Sequence, residues 1–313
     1  MSHPAPLPVA TRRERVMRRL KEGPPVVLDG AMGSDLLRRG ISTRLPLWSA
    51  QALVDRPDVV RAIHEDHLSA GAEVITSNTF RTNPRTLQSC GFGERQQELT
   101  ALAVSLAREA IQRTGAGERA FVAGSMAPVE DCYRPDLVPP DADLEREHTQ
   151  LARSLETAGS DLILVETMNT LREARAALKA ASDTGLPVWV SFVVGENLQL
   201  LSGEDLSRAA RTVADEGATA MLVNCAALSV VGQALKKLRA SVDLPCGLYP
   251  NHGTVDPQDG WKSNALDVDF FRDQVLSWFR SGARLVGGCC GTTPDHVRVI
   301  AEARATMLRL ESI

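Results

Sequence analysis

The stretch DLILVETM at residues 161–168 is the clearest indicator of the fold of this 313-residue chain. It is a short run of Leu, Ile and Val that ends beside a glutamate, and apolar residues occupy both of its alternating faces. A strand with one face in water alternates apolar and polar residues, whereas a parallel strand covered by helices on both faces is apolar throughout. The stretch therefore predicts a buried strand of a parallel sheet.

Seven further runs of this kind recur along the chain, and amphipathic stretches separate them. The predicted strands are 24–30, 72–78, 120–126, 161–168, 187–194, 219–226, 244–251 and 283–290. Residues 94–113 carry their apolar side chains on one helical face, and Thr293 followed by Pro294 marks the start of a last helix. Eight repeats of strand and helix predict a single closed (β/α)8 barrel over 24–313, preceded by an extension with one extra helix in 1–23. An open doubly wound sheet is the alternative.

Composition and charge exclude several classes of partner. The chain is 43% hydrophobic and 24% charged, with a formal net charge of -4, so it gives no electrostatic reason to bind nucleic acid or an anionic membrane. We find no apolar stretch of membrane-spanning length and no signal-peptide core, which predicts a cytoplasmic protein. Thiols stay reduced in the cytoplasm, so the six cysteines are predicted to be free, catalytic or metal-binding.

Three cysteines lie at the ends of predicted strands, on the side of the barrel that carries active sites in this fold. In this fold, active-site side chains gather at the carboxyl ends of the strands. Cys225 ends the sixth predicted strand, and Cys289 and Cys290 end the eighth. Neighbouring strands lie about 4.8 Å apart, so these three sulfurs could reach one ion across the seventh strand. Three thiolates leave the fourth tetrahedral position open, which is typical of a catalytic Zn²⁺ site.

The two adjacent cysteines need irregular backbone, because consecutive strand residues point to opposite faces. Gly287, Gly288 and Gly291 permit such a departure. Buried apolar packing or a redox pair remain open as alternative roles for the thiols, and a phosphate-binding loop after the eighth strand is another. His64 and His67 are three residues apart rather than four, so we interpret them as ordinary helix residues. The remaining cysteines are predicted to lie in the core or in loops: Cys246, Cys90 and Cys132.

Six motifs occur in order between about residues 24 and 303: LDGAMGSDLLRRG, LWSAQAL, HLSAGAEVITSNTF, VETM, VNC and GGCCGTTPDHV. In these motifs the chain resembles the homocysteine S-methyltransferase family. The resemblance implies the same barrel, with Zn²⁺ bound by Cys225, Cys289 and Cys290 and with the thiolate of homocysteine at the open position. It further implies an enzyme that transfers a methyl group to this thiolate and forms methionine.

The resemblance also implies which side chains bind the substrate. Glu166 is expected to hold the amino group of homocysteine, and Asp29 and Gly30 to contribute to the same pocket. Further substrate-binding residues are expected at four positions: Trp48, Ser49, Asn78 and Asn251. The last of these is also a candidate fourth metal ligand when substrate is absent.

The methyl donor differs between branches of this family, which use betaine, a sulfonium or methylcobalamin. Aromatic cages bind quaternary ammonium groups, and this chain is only 4% aromatic. Where the betaine enzyme has tyrosines, the chain has Arg81 and Thr167. We therefore expect S-methylmethionine or S-adenosylmethionine as donor, and a monomer or weak homodimer.

Several alternatives to this reaction stay open. The same acceptor chemistry could use betaine, a separate methylcorrinoid protein, or another thiol or selenol as acceptor. The non-enzymatic alternative is a zinc or thiol-redox barrel without methyl transfer.

Overall fold

The computed structural model describes residues 6–256, 260–262 and 267–311. Eight parallel strands form one sheet in the order β1-β10-β7-β6-β5-β4-β3-β2. Their bounds are Val26–Val27 (β1), Val74–Thr76 (β2), Phe121–Met126 (β3), Leu162–Met168 (β4), Val188–Phe192 (β5), Ala220–Ala227 (β6), Cys246–Asn251 (β7) and Leu285–Val286 (β10). All eight predicted strands are therefore present.

The two ends of the sheet meet and close the barrel. Leu28 forms a parallel β-bridge with Val74. Beside it, the Glu73 N–H donates a hydrogen bond to the Val27 carbonyl oxygen at 2.8 Å. An open doubly wound sheet has two free edge strands, so the prediction of a (β/α)8 barrel is confirmed and the alternative is wrong.

Helices cover the outside of the barrel. They are Val9–Glu22 (α1), Gly33–Arg38 (α2), Gln51–Asp55 (α3), Pro57–Ser69 (α4), Pro84–Ser89 (α5), Gln96–Arg113 (α6), Asp141–Ala158 (α7), Leu171–Ser182 (α8), Leu206–Asp215 (α9), Leu228–Arg239 (α10), Val268–Arg280 (α11) and Pro294–Glu311 (α12). Short 3-10 helices in the described residues are Trp48–Ala50, Gly93–Arg95, Gly117–Arg119 and Pro135–Leu137. In the described residues, no helix combines the length and apolar character needed to cross a membrane.

The core has an inner and an outer layer. The outer layer lies between sheet and helices, and the inner layer fills the barrel with alternate strand residues such as Leu162, Leu164 and Trp189. Val16 and Leu20 of α1 join this inner layer, so the predicted extra helix caps the amino-terminal mouth of the barrel. The division of the chain at residue 23 remains a prediction.

Most strands are shorter than their predicted runs, and the structure departs from the predicted elements in two further places. The last barrel strand stops at Val286, so 287–290 form a loop rather than the end of a strand. Gly288 instead donates its N–H to the Asp29 oxygen at 2.9 Å, across the closure of the barrel. The antiparallel hairpin of Thr254–Asp256 (β8) and Gly260–Lys262 (β9) was not predicted from the sequence.

Candidate active site

Three thiols meet at the carboxyl end of the barrel. The sulfur atoms of Cys225, Cys289 and Cys290 all lie within 4.8 Å of one another. Two sulfurs on one tetrahedral Zn²⁺ are about 3.8 Å apart, given a bond length of about 2.3 Å. The cluster therefore fits one metal ion after small side-chain movements. Burial raises the pKa of Cys290 to about 12, so a nearby cation is needed to hold this thiol as thiolate at neutral pH.

Cys225 and Cys289 are joined as a disulfide in the structure, with Cα atoms 5.7 Å apart. The six cysteines were predicted to be free, catalytic or metal-binding, with a redox pair as an open alternative; this pair is joined in the structure, and the other four cysteines are free. Thiols that converge on one metal position are also close enough to be oxidised to each other. Three-thiol metal binding consequently requires the reduced pair.

Irregular backbone at the end of β6 places Cys225. Its φ is +50°, a left-handed conformation that is uncommon for residues other than glycine. The pairing of β6 with β7 also shifts register between Asn224 and Ala227. Asn224 fixes the neighbourhood, because its side chain accepts from the Ser191 hydroxyl at 2.7 Å and donates to the Thr167 hydroxyl at 2.7 Å.

A tight loop after β10 places Cys289 and Cys290. The Cys289 N–H donates to the Pro250 oxygen at 2.8 Å, and the Cys290 oxygen accepts from the His252 N–H at 2.8 Å. Gly291 has φ +80°, and a Cβ there would overlap the His252 carbonyl oxygen. The predicted departure from strand geometry is therefore real, and Gly291 permits it.

The same loop offers little to a phosphate. The N–H groups of Gly288, Cys289, Gly291 and Thr292 already donate to the Asp29 oxygen, the Pro250 oxygen, the Ser34 hydroxyl and the Cys289 oxygen, at 2.8–3.0 Å. A phosphate site needs free backbone donors. The engaged N–H groups therefore remove the support for the phosphate-binding alternative.

Two buried carboxyl groups lie in the same pocket as the thiols. Asp29 accepts from the Thr76 N–H at 2.7 Å and from the Thr76 hydroxyl at 3.0 Å. Glu166, near the end of β4, accepts from the Ser125 hydroxyl and from the Tyr249 hydroxyl, the latter at 3.1 Å. These partners fix both carboxyl groups without neutralising them with a cation.

Burial makes both groups weaker acids. It raises the pKa of Asp29 to about 8, against the hydrogen bonds from Thr76, and the neighbouring Glu166 adds to the rise. It raises the pKa of Glu166 to about 6, against the bonds from Ser125 and Tyr249. A bound ammonium group would reverse these shifts, so the pair is suited to hold one.

Most of the other predicted binding residues surround this pocket. Gly30, Trp48, Ser49 and Asn78 line it. Asn78 donates its side-chain amide to the Ser49 oxygen at 2.9 Å, which engages that amide with the protein itself. Asn251 is outside the pocket lining, and its buried side-chain oxygen has no hydrogen-bond partner within the described part of the chain.

Sequence reasoning did not assign several pocket residues. Ser125, Asp131 and Tyr133 follow or end β3, and no motif marked them as binding residues. Among the described residues, four aromatic side chains line the pocket, and they include both tyrosines of the chain: Trp48, Phe80, Tyr133 and Tyr249. Low aromatic content therefore does not mean a pocket poor in aromatic rings, because the fold concentrates them there.

The remaining candidates lie apart from the cluster. Cys246 is buried at the start of β7, as predicted, and Cys132 is buried in the loop after β3. His64 and His67 are buried on α4, and their ring nitrogens have no hydrogen-bond partners among the described residues. The described residues contain no other group of three metal-ligating side chains.

Together, the fold and the pocket define a (β/α)8-barrel enzyme with a cysteine cluster suited to a metal ion beside two buried carboxyl groups. The chain belongs to the homocysteine S-methyltransferase family, whose model matches residues 26–304. The family predicted from the motifs is thereby confirmed, as is the prediction of a methyltransferase.

Named relatives extend over most of the chain. Homocysteine S-methyltransferase 4 from Zea mays is 32% identical over 88% of this chain and 88% of its own length. Homocysteine S-methyltransferase YbgG from Bacillus subtilis is 28% identical over 89% of this chain and 94% of its own. The metallated form of the homocysteine methyltransferase MmuM from Escherichia coli superposes with a TM-score of 0.80 at 28% identity, covering 92% of this chain and 99% of that chain. The oxidized form of MmuM gives a TM-score of 0.81.

Proposed function

We propose that this enzyme transfers a methyl group from a small sulfonium, S-methylmethionine or S-adenosylmethionine, to the sulfur of homocysteine and forms methionine. The convergence of three thiols and two buried carboxyl groups on one pocket is the observation that carries this proposal. In the reaction, the bond between methyl and sulfonium breaks while a bond from methyl to the homocysteine sulfur forms. The donor leaves as a thioether with a neutral sulfur, and the homocysteine thiol releases its proton to solvent.

Cys225, Cys289 and Cys290 would hold Zn²⁺, which when bound keeps an acceptor thiol ionised at neutral pH. Support comes from the donor set, since three thiolates favour this metal, and from the metallated form of the relative MmuM. No side-chain base is required in this scheme.

Glu166 and Asp29 would bind the ammonium group of homocysteine. Ser125 and Tyr249 orient the Glu166 carboxylate, and Thr76 orients that of Asp29. Fixed partners of this kind position the acceptor without movement of the protein at the moment of reaction.

Aromatic rings support a cationic donor. Trp48 and Phe80 contact each other edge to face, with ring centroids 5.3 Å apart, and both line the pocket. The face of such a ring attracts a sulfonium or a quaternary ammonium charge alike, so the rings support a cationic donor without distinguishing between the two. We also infer a cytoplasmic location, which would keep the thiols reduced, and a monomer or weak homodimer.

The test is methionine formation by reduced, zinc-loaded protein from homocysteine, with S-methylmethionine, S-adenosylmethionine and betaine supplied separately. We expect turnover with a sulfonium and none with betaine. Turnover with betaine alone, or only after addition of a methylcorrinoid protein, would replace the proposed donor.

Cys225→Ala tests the role of the thiols. It should abolish zinc binding and methyl transfer together, because two thiolates cannot hold the ion in the same way. Cys90→Ala is the control, since Cys90 lies away from the cluster and should keep both properties. Full transfer activity in the Cys225 variant would refute the role of the cluster.

A further inference from the structure

Arg81 is the only basic side chain among the described residues that line the pocket. It lies in the loop after β2, with 7% of its surface exposed. Its Nη1 donates to the Glu130 oxygen at 2.9 Å, and its buried Nε has no partner. Arg81 forms no ion pair within the described part of the chain. A buried cation without a counter-charge is costly, so its position on the pocket indicates an anionic group in the ligand.

Asp131 brings the opposite charge to the same part of the pocket. It lies in the loop after β3, next to Glu130, whose carbonyl oxygen holds Arg81. One of its carboxylate oxygens accepts from the Tyr133 N–H at 2.9 Å. Asp131 forms no ion pair with any basic side chain in the described part of the chain, and this includes Arg81. The two loops thus present a separated positive and negative charge to one ligand.

These charges are distinct from the carboxyl pair deeper in the barrel. Glu166 is a residue of β4 and Asp29 is hydrogen-bonded to β2, whereas Arg81 and Asp131 come from loops beyond the strands. Tyr133, in the same loop as Asp131, is 46% exposed, but burial of its hydroxyl and the nearby Cys290 raise its pKa, so this side chain reaches from the surface toward the thiol cluster. The pocket therefore has an inner acidic part and an outer part with both charges.

We propose that Arg81 and Asp131 form a second amino-acid subsite, which binds the carboxylate and the ammonium group of the methyl donor. The inference rests on the proposed function, in which the inner carboxyl groups are occupied by the ammonium of homocysteine. A donor with both groups pairs both outer charges, whereas a donor with a carboxylate alone leaves Asp131 unpaired. The subsite thus selects α-amino-acid sulfoniums over betaines.

The aromatic pair fits this placement. Phe80 is the neighbour of Arg81 in sequence, and the guanidinium carbon lies 5.5 Å from the centroid of its ring. Trp48 contacts the same ring. A donor held by Arg81 would therefore carry its sulfonium charge past aromatic faces on the way to the acceptor.

Calorimetry tests the subsite without turnover. The dissociation constant of S-methylmethionine is measured for the reduced wild-type protein, Arg81→Gln and Asp131→Asn. Its methyl ester and its deaminated analogue are measured on the wild type. We expect each variant to bind S-methylmethionine at least about tenfold more weakly, since each loses one charged hydrogen bond. The wild type should disfavour each analogue by a similar factor.

Matched controls come from an exposed pair outside the pocket lining. Arg56 and Asp58 pair with each other at 3.0 Å, so Arg56→Gln and Asp58→Asn should leave donor binding within twofold of wild type. The dissociation constant of homocysteine should also stay within twofold in Arg81→Gln and Asp131→Asn. The inference would be overturned if the variants bound homocysteine as weakly as they bind the donor, or if both variants bound the donor as tightly as the wild type.

The two proposals fail differently. Wild-type protein that binds S-methylmethionine through Arg81 and Asp131 but forms no methionine would refute the proposed reaction and keep the subsite. Methionine formation with unchanged donor binding in both variants would refute the subsite and keep the reaction. Absence of binding of both S-methylmethionine and S-adenosylmethionine to the wild type would overturn both.

Discussion

Two buried carboxyl groups, considered as single residues, give ligand binding a defined dependence on pH. The pKa of Glu166 is raised to about 6 and that of Asp29 to about 8, in both cases mainly by burial. An ammonium ligand needs the ionised forms. Glu166 ionises first as pH rises through 6, and Asp29 is still largely protonated at pH 7.

We therefore predict that methionine, the expected product, binds more tightly as pH rises from 5 to 8, and that its binding at pH 7 releases protons. Calorimetry in buffers of different ionisation enthalpy measures both. Asp29→Asn should reduce the rise in methionine affinity above pH 7. Glu166→Gln should reduce the rise in affinity around pH 6. Affinity that is constant over this range would contradict the role of these groups.

Single residues also show where sequence reasoning ends. The motifs indicated Glu166 and the three clustered cysteines because these residues follow apolar runs in a recognisable order. For Arg81, the sequence indicated only that its positive charge disfavours a quaternary ammonium donor. Its burial and its bond to the Glu130 oxygen depend on how two loops meet, which the order of residues along the chain does not reveal.

At the scale of elements, the loop between β10 and α12 depends on a glycine. Gly291→Ala combines a left-handed φ with a Cβ that would overlap the His252 oxygen, so the loop must move and displace Cys290. We predict at least a tenfold loss of zinc affinity, measured by competition with a chelating dye. Gly203→Ala is the control, because Gly203 has φ +88° with nothing within 4 Å of a Cβ. An equal loss in both variants would contradict the steric argument.

The first helix contributes stability rather than chemistry. Leu20 of α1 is buried in the inner core at the mouth of the barrel opposite the pocket. Leu20→Ala should lower the free energy of unfolding by about 2–5 kcal/mol, through lost burial and the cavity left behind. Glu14→Ala, on the exposed face of the same helix, should change it by less than about 0.5 kcal/mol. Denaturant unfolding measures both, and a large loss of donor affinity in the Leu20 variant would contradict a purely structural role.

At the scale of the whole molecule, metal binding should be visible as global stability. A ligand that binds only the folded state adds about 2.7 kcal/mol at a free concentration of 100 times its dissociation constant. We expect this increase on addition of Zn²⁺ to reduced protein. It should be absent in Cys225→Ala and in protein that keeps the disulfide between Cys225 and Cys289. Equal stabilisation of the oxidised protein would place the metal elsewhere.

The sequence by itself determined the barrel, the family and the identity of the clustered thiols. Buried parallel strands must be apolar on both faces. Each of the eight runs shows this pattern in its own few residues, and DLILVETM shows it most clearly. The start of α12 at Pro294 could also be predicted from neighbouring residues alone, because the residues at a helix start mark it.

Only the tertiary structure decided how these parts meet. The left-handed φ of Cys225, the disulfide to Cys289 and the unpredicted hairpin β8–β9 depend on contacts between distant segments. The same holds for the gathering of aromatic rings and Arg81 in a single pocket. Periodicity along a chain reports which face of an element is buried, whereas the closure of the barrel decides which side chains from different loops become neighbours.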